Sequence, residues 1–68
     1  MYEVGMGVIL KLGLYRDYIL KGEIANIHQD ADGETLVTVN YEDGVVKVYT
    51  ENAFTKNRRI IVTEEVIW

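Results

Sequence analysis

Sixty-eight residues, 49% of them hydrophobic and none a cysteine, define one small domain (residues 1–68) that no disulfide can staple. A single histidine, His28, excludes the Cys/His ligand set of a structural zinc site, so neither a metal nor a cofactor is expected. The net charge of −4 makes nucleic acid an unfavoured partner, because binding it is mostly phosphate neutralisation by lysine and arginine.

The N-terminus opens Met1-Tyr2-Glu3 without a basic region, and its apolar run is broken by Gly5, Gly7 and Lys11. That is not the pattern of a targeting segment, and no apolar stretch approaches the ~20 residues of a membrane helix. A cytoplasmic location with no membrane partner is the expectation. Residues 4–12 read as a first strand, with Val8, Leu10 and Leu12 on one face and Ile9 and Lys11 on the other. Gly5 and Gly7 predict a bend or a close backbone approach at its start. Residues 13–17 form a loop.

Residues 18–29 read as a long second strand. Ile24 and Ile27 are three apart, which breaks strict alternation, and a bulge near Ala25-Asn26 would return both to the core face. Asp30-Ala31-Asp32-Gly33 is a turn. Residues 34–50 then form a hairpin, in which Thr35, Val37, Val39 and Tyr41 alternate with Leu36, Thr38 and Asn40. Asp43-Gly44 separates this run from Val45–Thr50, and glycine supplies the positive φ that such turns need. Glu51-Asn52-Ala53-Phe54 reads as a short turn, residues 59–63 as a last strand, and residues 64–68 as its extension or a tail. Five short strands in a meander predict an all-β domain: a small closed or half-closed barrel, or a strongly bent meander sheet.

Gly22-Glu23-Ile24-Ala25-Asn26-Ile27, the acidic turn at 30–33, Val37–Tyr41, Asp43-Gly44, Val46-Lys47-Val48 and Ala53-Phe54 together resemble an SH3-like barrel of the Tudor type. The resemblance covers residues 6–63. It implies a five-stranded barrel in which a short turn ends in an apolar residue that closes the fold, here Phe54. Tudor domains hold methylated lysine or arginine in an aromatic cage placed just before the small-charged-apolar triplet. Ile19 and Leu20 occupy those positions here, so the resemblance implies the fold rather than that activity.

Four kinds of side chain are candidates for a site. Tyr15, Tyr18, Tyr41 and Tyr49 could gather at one rim as a protein-binding cleft, or could be half-buried strand packing with wet hydroxyls. Asp30, Asp32 and Glu34 alternate like calcium ligands, but Gly33 comes too soon and the loop is too short, so a solvated turn is expected. His28 has no sequence neighbour with which to form a dyad or a metal site. Lys56, Arg58 and Arg59 form the one basic cluster, a candidate nucleic-acid contact if Lys11, Arg16 or Lys21 joins it.

The strongest functional clue is surplus apolar surface. Both strand phases carry apolar residues at Val8/Ile9/Leu10, Ile19/Leu20, Val45/Val46 and Ile60/Ile61/Val62, and again at Val66, Ile67 and Trp68. One phase fills the interior, which leaves Ile9, Val45, Ile61 or their neighbours for an interface, unless strand ends and bulges bury both phases within the monomer. The expectation is a non-enzymatic protein-interaction module that forms a homo-oligomer, of the size common among phage and mobile-element proteins. A nucleic-acid-binding SH3-like domain and a small acidic mimic of DNA are the alternatives.

Overall fold

The computed structural model describes residues 2–13 and 18–63. Within them lie strands β1 (Gly7–Lys11), β2 (Ile19–Gln29), β3 (Thr35–Tyr41), β4 (Val46–Thr50) and β5 (Ile60–Thr63). One helix, α1 (Glu51–Lys56), joins β4 to β5. The strands form one antiparallel sheet in the order β4-β3-β2-β1-β5, so the domain is all-β apart from that helix. The sheet is open and not a closed barrel. β4 and β5 lie at opposite edges, and each is laddered to a single neighbour.

The two hairpin turns flanking β3 are built alike. Each is a three-residue loop whose last residue is a glycine at positive φ, +81° at Gly33 and +87° at Gly44. The Gly33 N–H donates to the Asp30 carbonyl at 3.0 Å, and the Gly44 N–H to the Tyr41 carbonyl at 3.0 Å. Asp30 and Tyr41 in turn donate their N–H groups to Glu34 and Val45, each at 2.9 Å. This is the type I turn with a glycine bulge that three-residue hairpin loops favour. Each turn also carries an aspartate that locks it: Asp30 Oδ1 accepts from the N–H groups of Asp32 and Glu34, and Asp43 Oδ1 accepts from Val45.

The irregularities read from the sequence are present. Gly5 bends the chain at φ +97° and donates its N–H to the Ile24 carbonyl, so the first strand starts at Gly7 rather than at residue 4. The β2–β3 register shifts between Ile24 and Asn26, so that Ile24 faces Val39 before the bulge and Ile27 faces Val37 beyond it. Both isoleucines therefore reach the core. The expected turn at 51–54 is a helix of six residues. Thr50 caps it by accepting the Ala53 N–H at 3.1 Å, and its Phe54 points inward.

Val8, Ile24, Val37, Val39, Tyr41 and Phe54 are the buried centre. Leu10, Leu20, Ile60, Val62, Met6, Ile27, Tyr49 and Tyr2 pack around it. Gly22 lets the sheet close over this core. It faces Tyr41 across the β2–β3 ladder, and the tyrosine ring lies where a side chain on Gly22 would be.

Candidate interaction surface

Strand alternation divides the sheet into two faces. Val8, Leu10, Leu20, Gly22, Ile24, Val37, Val39, Tyr41 and Tyr49 hold the core face, and α1 packs against β3 and β4. The residues between them make the outer face. One of its rows runs Lys21–Ile9–Ile61 across β2, β1 and β5, and the next begins Ile19–Lys11. On the other half of the sheet, Val46 lies beside Asn40, Val48 beside Thr38 and Thr50 beside Leu36.

Among the described residues, Tyr41 and Tyr49 pack together and Tyr18 stands away from them. Tyr41 is 3% exposed and belongs to the core, so its place in a binding site is corrected to packing. Its hydroxyl shares a hydrogen bond of 2.9 Å with that of Tyr49, and the Tyr49 ring lies 5.4 Å from Phe54. Tyr2 completes the cluster, edge-on to Phe54 at 5.0 Å and hydrogen-bonded through its hydroxyl to Thr55 Oγ1 at 3.0 Å. Tyr2 carried no sequence signal, because its partners are more than fifty positions away. Tyr18 stands apart and exposed. Tyr15, Val66, Ile67 and Trp68 lie outside the described residues.

Burial and the bond to Tyr49 hold the Tyr41 hydroxyl well above the ordinary tyrosine range. The folded state therefore keeps a proton that the unfolded chain releases near pH ~10, so this contribution to stability is complete below that pH and falls as pH rises above it. Chemical denaturation at pH 8 and pH 11 should show a loss of stability in the wild type that Tyr41→Phe reduces. An equal loss in both proteins would place the alkaline sensitivity elsewhere.

The surplus apolar residues stand largely on the outside. Ile19 and Ile61 are exposed at one end of the outer face, and Ile9, beside Ile61 in the same row, is half-buried. At the opposite edge Val45, Val46 and Val48 follow one another along β4 and its entry, and the last two are 57% and 58% exposed. Val45 and Ile61 are thus both exposed, Ile61 on the outer face and Val45 at the turn, in phase with Tyr49.

The basic cluster is divided. Lys56 ends α1, and Arg58 and Arg59 form the turn into β5, where Asn57 Oδ1 accepts the Arg59 N–H at 2.9 Å. The Lys11 N–H donates to the Arg59 carbonyl at 2.8 Å, which makes these two residues register neighbours. Lys21 is on the same outer face, one row away. Arg16 lies outside the described residues. His28 is exposed, and its Nδ1 accepts from the Asn26 amide at 3.3 Å. Asp30 uses its carboxylate on the turn backbone, and no group of three His, Cys, Asp or Glu side chains suited to a metal occurs among the described residues. No helix among them is long and apolar enough to cross a membrane.

No protein-family model, curated protein or solved structure matches this chain.

Proposed function

We propose that this chain is a non-enzymatic SH3-like module that acts by protein–protein association, first of all with itself. The observation that carries the reading is the valine edge: Val46 and Val48 stand exposed side by side on the outer face of the rim strand β4, with Val45 exposed at its entry. Contiguous apolar surface of this kind is costly to leave in water and is characteristic of interfaces. The SH3-like part rests on the meander that returns on itself, with β1 between β2 and β5 and one helical turn carrying Phe54 before the last strand. A cytoplasmic setting belongs to the same reading. Sedimentation velocity over a wide concentration range is the test. A mass that rises above that of one chain is expected, and a monomer at every concentration would remove self-association.

A second reading has one observation in its favour. Lys11, Lys21 and Arg59 share one outer face, as a phosphate-binding patch requires. A gel shift with random oligonucleotides at low salt should then show retarded complexes, and an unshifted probe would exclude it. Mimicry of DNA has less support. The Asp30, Asp32 and Glu34 carboxylates and those of Glu42 and Asp43 sit at turns at opposite ends of β3, and do not form one stripe.

A further inference from the structure

We propose that two copies of this chain join through the free edges of their β4 strands, antiparallel, about a two-fold axis at Val48. The inference rests on the self-association reading and names the surface and register that carry it.

The backbone of β4 is ready for such pairing. The Tyr41 N–H bonds to the Val45 carbonyl, and bonded pairs recur at every second residue of an antiparallel ladder. Lys47 and Tyr49 therefore spend their backbone groups on β3. The N–H and C=O groups of Val46 and Val48, and the N–H of Thr50, point away from the sheet. Among the described residues no strand meets them. Edges of this kind are usually blunted by short length, proline, bulges or charges, lysine above all. This strand has no proline and an unbroken register with β3, and its one charge is Lys47.

Symmetry and charge select the register. An antiparallel join that continues the sheet keeps both outer faces on one side, so the axis stands normal to the sheet and one residue faces itself. With Lys47 on the axis, two ammonium groups would be opposed, which is unfavourable. With Val46 there, Tyr49 and Thr50 would lie opposite the Glu42–Asp43 turn. With Tyr49 there, Lys47 and Val46 would run into α1. Val48 on the axis pairs every residue of the strand: Val46 with Thr50, Lys47 with Tyr49, and Val48 with its own copy. Each lysine then faces an aromatic ring, and Val46 and Val48 of both chains form one apolar stripe across the outer face. Five residues per chain is far less than the roughly 20–30 of a standard interface, so the dimer is expected to depend on concentration.

The absence of native cysteine makes single-cysteine variants direct reporters of register. In a hydrogen-bonded antiparallel pair the facing Cα atoms are ~5.5 Å apart, within the roughly 4.4–6.8 Å that a disulfide spans. Val48→Cys should therefore give a covalent dimer on mild oxidation. Val46→Cys should not, because its copy lies four residues along the strand, ~13 Å away. Ile61→Cys, on the opposite edge, measures the rate of random collision, and Val48→Cys should cross-link at least about ten times faster. In parallel, Val48→Lys should sediment as a monomer with its circular dichroism unchanged. Cross-linking through Val46→Cys in place of Val48→Cys would overturn the register. A dimer in sedimentation that persists in Val48→Lys and cross-links at neither valine would overturn the surface while leaving self-association intact. A wild type that stays monomeric throughout would overturn both.

Discussion

Replacing Phe54 with alanine is expected to unfold the domain at room temperature. Phe54 is the largest fully buried side chain and is 1% exposed. It is also the contact through which α1 and the N-terminal segment hold to the sheet, since Tyr2 packs edge-on against it and Tyr49 lies along its side. Truncating a buried phenylalanine costs about 3–5 kcal/mol through lost transfer energy and the cavity left behind. A core of this size rarely supplies more than roughly that amount in total. The loss and the reserve are equal within their uncertainty, so the folded population should collapse. Far-ultraviolet circular dichroism would read this as loss of the sheet signal. Phe54→Leu, which keeps most of the volume, should remain folded with a lowered melting temperature. A cooperative melt for Phe54→Ala close to that of the wild type would mean that the core does not depend on this ring.

The second large effect is expected from the smallest possible addition, a methyl group at Gly22. That methyl would lie 2.7 Å from the Asn40 carbonyl oxygen and 2.8 Å from Tyr41 Cδ1. The oxygen belongs to the β3 backbone and cannot turn aside, and the Tyr41 ring is fixed by burial and by its bond to Tyr49. Overpacking of this kind costs about 1–3 kcal/mol. Alanine would return about 0.4–1 kcal/mol by restricting the unfolded chain. The clash wins, and a net loss of ~1–2 kcal/mol lowers the melting temperature of a domain this size by roughly 5–15 °C. Thermal melts of Gly22→Ala against wild type measure it directly. An unchanged or raised midpoint would mean that the β2 and β3 backbones are not in close approach at this point.

Gly22 also illustrates how much of the fold was legible in advance. The triplet Gly22-Glu23-Ile24 supported a family resemblance, yet the reason for the glycine, a tyrosine ring folded over it from the neighbouring strand, needs the β2–β3 register. The same division runs through the tyrosines. Tyr41 and Tyr49 are both strand residues of alternating phase, and sequence alone left them open as cleft or packing. The contact with Phe54, which arrives on a separate element, decided for packing. The expected turn at 51–54 became a helix because Thr50 caps it and burial of Phe54 rewards the extra residues.

Features that depend on near neighbours were readable from the residues alone. The presence and order of the strands follow from alternation, the two turns from Asp-Gly pairs that admit positive φ, and the bulge from the three-residue spacing of Ile24 and Ile27. The sequence also showed that apolar residues occur in both phases of several strands. Where the apolar residues stand needed the folded sheet, because exposure follows from which face the helix and the N-terminal segment cover. Val46 and Val48 stand on the outer face, beside Asn40 and Thr38, and meet water, whereas Val37 and Val39 stand on the core face with Phe54 and are buried. The pairing of Lys11 with Arg59 and of Tyr2 with Phe54 has the same origin: chain ends distant in sequence become adjacent only when β5 returns to β1 and the helix lies against the sheet.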